Sequence, residues 1–79
     1  IRLAKSYFDD VANGIKTFEL RKNDRGYKKG DILEMMEFAD GKNTGRMVRV
    51  LVTYILEDYT GIEDGYCIMA TKLMKESEE

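Results

Sequence analysis

Within the run Gly14, Ile15, Lys16, Thr17, Phe18, Glu19, Leu20, Arg21 the chain gathers an ammonium, a carboxylate and a guanidinium. If this stretch is extended, Glu19 and Arg21 share one strand face, because side chains alternate with a period of two. A carboxylate acceptor beside a guanidinium fork can read a base edge and grip a phosphate, the two tasks that nucleic-acid recognition divides between residues. Lys16 falls by ideal alternation on the face of Phe18 and Leu20. It joins Glu19 only if the turn at Gly14 twists the strand entrance. The structural alternative is an exposed Glu19–Arg21 ion pair worth at most about 1 kcal/mol.

Other residues extend or compete with this trio. Asn23, Asp24 and Arg25 could form a ligand loop, yet Asn and Asp next to Gly26 are also ordinary turn formers. Tyr27, set among Arg25, Lys28 and Lys29, is an exposed candidate for stacking a base. Tyr7 could do the same, but its place on an apolar helical stripe favours a core role. Thr44 and Arg46 flank Gly45 and either contact a phosphate or close a hairpin.

The chain has no histidine, which removes the commonest general base and the commonest metal ligand. Triads and histidine zinc sites are thereby excluded. What remains for proton chemistry is Lys, Glu, Asp, Tyr or the lone thiol, each of which would need a shifted pKa to work near neutrality. The acidic residues Glu57, Asp58, Glu63 and Asp64 lack the regular spacing of a calcium loop and read as a solvated loop. Cys67, the lone cysteine, sits in an apolar run and reads as a buried, inert thiol. No cofactor and no metal are expected.

The elements that must position these groups follow from periodicity. Leu3, Ala4, Tyr7, Phe8, Val11 and Ala12 recur at helical spacing and predict a helix from about Ala4 to Asn13, ended by a left-handed cap at Asn13 and Gly14. Thr17 to Lys22 alternates as a half-buried strand, with Phe18 and Leu20 on its apolar face. Turns at 23–26 and 28–31 lead to a strand over Ile32 to Phe38. A polar hairpin loop is expected over Asp40 to Gly45, then a long, once-bent strand over Met47 to Leu56. Glu57 to Gly65 reads as a loop and Tyr66 to Thr71 as a closing strand, with Cys67 and Met69 opposing Ile68 and Ala70.

One helix with four or five short strands predicts an α+β domain, a small, partly closed β-barrel with the helix covering one opening. The 79 residues suffice for one modest core. The expectation is a single domain over residues 1–74 and a charged, disordered tail over 75–79. Since the chain opens on Ile1 and not Met, the expectation is that an upstream piece was trimmed or left out. The single cysteine and the want of any long apolar run predict a soluble, cytoplasmic protein without membrane contact, monomeric by default.

Net charge is −2, but residues 16–29 carry +4 and the remainder −6. Such asymmetry can aim an anionic partner at one face, although a solvated surface explains it equally well.

The spacing G-x-K-x-x-E-x-R resembles the signature of ASCH domains, relatives of the PUA domain. The segment Phe18 to Arg25, then Gly30 and Asp31, then Thr44 to Arg46, then Val52 to Ile55, is similar to an uncharacterised prokaryotic and phage branch of that group, and the likeness runs from about Tyr7 to Ile68. The resemblance implies a PUA-like barrel whose cleft beside the helix accepts RNA or a modified nucleoside. Some relatives are reported to hydrolyse an acylated cytidine or to cut RNA, with the motif lysine, here Lys16, in a catalytic part. Where an amidohydrolase relative has Thr three residues later, this chain has Glu19. The branch also often carries a His on a strand before the helix, and this chain has none. The function expected is binding of RNA or a nucleotide; the alternatives are a small hydrolase or nuclease acting on a modified nucleoside or RNA, with Lys16 as base or nucleophile and Glu19 assisting proton transfer, and a non-catalytic protein-interaction domain.

Overall fold

The computed structural model describes residues 1–74, so the expected tail at 75–79 lies outside the described residues. The elements are β1 (Arg2–Ala4), α1 (Lys5–Ala12), β2 (Phe18–Lys22), β3 (Ile32–Ala39), β4 (Lys42–Leu56) and β5 (Tyr66–Leu73). They form one mixed sheet in the order β1-β3-β4-β5-β2, in which β1 runs parallel to β3 and all other pairs are antiparallel. The sheet curls into a half-barrel, consistent with the partly closed barrel expected.

A strand precedes the helix, which the sequence reading did not foresee. At three residues β1 is too short to display a period, and its one buried side chain, Leu3, also fits the helical stripe of Phe8 and Val11. The stripe itself needs one correction: Phe8 and Val11 are buried, whereas Tyr7 is 57% exposed. The helix ends at Ala12, close to the predicted place, but of the two expected cap residues only Gly14 is left-handed, since Asn13 has φ −90. Gly14 takes φ +73, and the Gly14 and Ile15 amides donate to the Val11 and Asp10 carbonyls in the Schellman arrangement. The Lys16 amide also donates to the Asp10 carbonyl, so the chain is reeled back over the helix end before β2 starts.

Leu33, Met35, Val50, Val52, Cys67 and Met69 make the centre of the core, joined by Leu3, Phe8 and Val11. Strand β5 has the predicted phase, with Cys67 and Met69 inward. Strand β2 has the opposite phase to the one its apolar residues suggest: Phe18 and Leu20 face out and Glu19 faces in. Register explains why. Glu19 pairs with Met69, which faces the core, so Phe18 and Leu20 share the outer face with their partners Ala70 and Ile68. On the far side of β5, Tyr54 and Leu56 continue those rows.

The polar stretch at 40–45 is mostly strand. Only Asp40 and Gly41 turn, both with positive φ as a tight hairpin requires, and β4 starts at Lys42. The bend expected in the long strand lies between Val52 and Tyr54, where the register with β5 shifts. Among the described residues no helix is long and apolar enough to cross a membrane.

Candidate functional site

Lys16, Glu19 and Arg21 meet. The Lys16 Nζ donates to Glu19 Oε1 at 2.5 Å and to the Phe18 carbonyl at 2.9 Å, and Arg21 Nε donates to Glu19 Oε2 at 2.9 Å. The capped turn at Gly14 makes this possible, because Lys16 lies before the first residue of β2 and is released from the strand's alternation. Each Glu19 oxygen therefore accepts a charge-assisted bond from a different cation. The carboxylate is 4% exposed, while the Lys16 and Arg21 side chains keep 17% and 33%.

A second Arg21 contact ties the site to the fold. Its Nη2 donates to the Arg2 carbonyl at 3.0 Å, so a guanidinium on β2, one edge of the sheet, reaches the backbone of β1, the other edge. Along this seam opens a cleft of about 820 Å³, lined by Arg2, Tyr7, Lys16, Phe18, Glu19, Arg21 and their neighbours. The Lys16 ammonium stands 5.8 Å from the Tyr7 ring centroid and 4.9 Å from that of Phe18, within cation–π range of both. Both rings are exposed. The aromatic that sequence reasoning assigned to the core is thus a wall of the cleft, and Phe18, assigned to the buried side of its strand, is another.

The remaining candidates divide into two groups. Asn23 is a structural pin: its Oδ1 accepts from the Tyr27 amide, its Nδ2 donates to Glu57 Oε2, and its own amide donates to the Gly65 carbonyl. Asp24, Arg25 and Tyr27 line a smaller hollow of about 420 Å³ beside the cleft, with Arg2, Arg21 and Lys22. Tyr27 is half-buried and packs against the core, so it is not the open stacking surface expected of it.

Thr44 and Arg46 do not line the cleft. They surround Glu37, a buried carboxylate at 3% exposure that sequence reasoning missed. Thr44 Oγ1 donates to Glu37 Oε1 at 2.6 Å, and Arg46 Nη1 donates to Glu37 Oε2 at 3.1 Å and to Asp9 Oδ1 at 3.3 Å. The Arg46 guanidinium also lies 4.8 Å from the centroid of Phe8. This cluster ties α1 to the β3–β4 hairpin. A signal for it existed, since Glu37 continues the inward alternation of Leu33 and Met35.

Among the described residues two side chains titrate away from their ordinary values. Asp9 is lowered, chiefly by the hydrogen bond from Lys5, with Arg46 adding to the effect. Burial raises the Cys67 thiol, with the Glu57 carboxylate adding to it. Among the described residues no group of three or more histidine, cysteine or acidic side chains is gathered that could hold a metal ion.

A family model described as a domain of unknown function (DUF3850) matches residues 1–71. The chain belongs to the DUF3850 family. The match takes in all six elements, short of the last residues of β5, and therefore both edges of the cleft. This DUF3850 chain is also 39% identical over 64 residues to the "Uncharacterized 12.9 kDa protein in GpA 3'region" of Escherichia phage P2. That alignment covers 81% of the chain but 59% of the phage protein, so the chain spans about three-fifths of its relative's length.

Proposed function

We propose that this domain binds RNA or a nucleotide in the cleft between β1, α1 and β2, with a base lying against Tyr7 and Phe18 and its polar edge meeting Glu19. One observation carries the reading: a carboxylate at 4% exposure, held between an ammonium and a guanidinium, faces an open cleft walled by two exposed aromatic rings. Buried ion pairs are weak stabilisers, since desolvation offsets much of their attraction. An apolar residue at position 19 would complete the core at less cost, which makes a binding role for the carboxylate the better account. An ionised carboxylate has about four lone-pair sites, and Glu19 uses two. The others suit the exocyclic amine of cytosine or adenine, while stacking on aromatic faces contributes about 1–3 kcal/mol per base.

Resemblance to ASCH domains and their PUA-like barrels supports the same assignment, because the G-x-K-x-x-E-x-R segment supplies Lys16, Glu19 and Arg21 together. The geometry favours binding over hydrolysis. Lys16 commits two of its three donors to Glu19 and the Phe18 carbonyl, a positioning that suits an ammonium holding the carboxylate in place, whereas a nucleophile needs a free amine.

Titration of short single-stranded RNAs at two salt concentrations tests the reading. Binding is expected to be tighter at low salt, through counterion release, and to be weakened by Tyr7→Ala. Failure to bind at low salt refutes it. A second reading, a protein-interaction domain, draws on the outer face of β2, β5 and β4, where Phe18, Leu20 and Tyr54 are exposed in adjoining rows. Under it, Tyr54→Ser, on that face and outside the cleft, weakens partner capture and leaves RNA titrations unchanged.

A further inference from the structure

We infer that the smaller hollow beside the cleft is a phosphate subsite, so that the ligand is a phosphorylated nucleotide and not a bare nucleoside. This rests on the cleft being the base site. The hollow is lined by four cationic side chains, Arg2, Arg21, Lys22 and Arg25, against one carboxylate, Asp24. Their commitments differ. Arg21 is bound to Glu19, and Arg2 stacks over Phe38 at 4.9 Å. Neither Lys22 nor Arg25 forms an ion pair among the described residues. Among the described residues the hollow thus holds more positive charge than Asp24 offsets, whereas each oxygen of Glu19 already accepts from one of the two cations beside it. An anion arriving at the seam is drawn to the hollow and kept off the buried carboxylate.

Continuity narrows the class of ligand. Arg2, Arg21 and Lys22 line both spaces, so the hollow is the next compartment along one groove. A ligand filling both must join a flat, amine-bearing ring to a tetrahedral or planar anion within a short reach, and a nucleoside phosphate does so. Guanidinium groups match phosphate oxygens in a two-pronged way, and Arg25 is placed to supply such a fork. A free nucleotide and a strand of RNA share this chemistry, and the ester position separates them.

The test compares cytidine, adenosine, their 5′- and 3′-monophosphates and inorganic phosphate on the wild-type chain and on Arg25→Gln, following backbone amide shifts. A monophosphate is expected to bind about tenfold more tightly than its nucleoside, and inorganic phosphate alone to move the amides of Lys22 to Arg25. Preference for the 5′ ester points to a free nucleotide, and equal preference for both esters to a strand passing through. Arg25→Gln, a substitution at an exposed site outside the cleft, is expected to abolish the preference while nucleoside affinity stays within about twofold. Equal binding of nucleoside and monophosphate overturns the subsite and leaves the base site standing. If no nucleoside or nucleotide binds, the cleft assignment fails first, and phosphate shifts at Lys22 to Arg25 alone then report an anion site without a base site.

Discussion

Replacing Glu19 by Gln removes one charge, keeps the shape, and leaves two cations facing a neutral amide. Breaking a fully buried ion pair typically costs about 3–5 kcal/mol, because the orphaned charge cannot be resolvated. Here the orphans are not sealed: the Lys16 and Arg21 side chains keep 17% and 33% of their exposure and open onto the cleft. Exposed pairs set the other limit, at about 0–1 kcal/mol. The expected loss is therefore intermediate, about 2 kcal/mol. For a domain of this size, whose whole stability is about 4–12 kcal/mol, that lowers the midpoint of thermal unfolding by about 8–16 °C. Urea unfolding followed by circular dichroism measures it, with an unchanged slope showing that the change lies in stability and not in compactness. A double-mutant cycle with Lys16→Met isolates the interaction, and a coupling of about 1 kcal/mol or more is expected. If Glu19→Gln stays within about 0.5 kcal/mol of wild type and the double variant is additive, the trio is a solvated surface cluster and its burial has been misread.

Gly14→Ala forces a side chain into positive φ, and is expected to lose about 1 kcal/mol of stability and to weaken ligand binding as Lys16 is displaced, both read from one titration series. Thr44→Val strips a donor from the buried Glu37 carboxylate and should destabilise the fold by about 1–3 kcal/mol in urea, with Thr44→Ser near wild type. Asp9 is held below its unfolded value, so its contribution is present above that value and is lost as pH falls through the lower folded one; Asp9→Asn should flatten the acid limb of the stability profile below about pH 4. Cys67 is shifted the other way, so stability falls as pH rises past the ordinary thiol range, and an aromatic disulfide reagent should label it only at the rate of unfolding.

Much of the architecture was legible because its residues obey simple periods. Phe8 and Val11 fixed the buried side of the helix, Gly14 its end, and the alternation around Cys67 and Met69 the phase of β5. The reading failed at β2, where it assumed that apolar side chains point inward. The inward side of that edge strand is a polar seam, so the rule inverts, and Glu19 is buried while Phe18 and Leu20 meet solvent. The site was half legible for the same reason. Residue types at 16, 19 and 21 announced a polar constellation, but Arg2 joins it through β1, whose three residues leave no periodic trace, and Tyr7 through α1, where its place on the apolar stripe pointed to the core. Glu37 stayed hidden because an acidic residue in a strand looks like a solvent-facing position until its partners on the neighbouring strand are known.

The edges of this half-barrel are joined by a side chain. Between β1 and β2 the described link is the Arg21 guanidinium on the Arg2 carbonyl, where a closed barrel would have a ladder of backbone bonds. Such a joint can part without disturbing Met35, Val52 or Met69, so breathing at the seam is energetically separate from global unfolding. Amide protons of β2 facing the gap should exchange with solvent well before those of β4, and an occupant that engages Arg21 would act as a removable stave, slowing that exchange for as long as it stays.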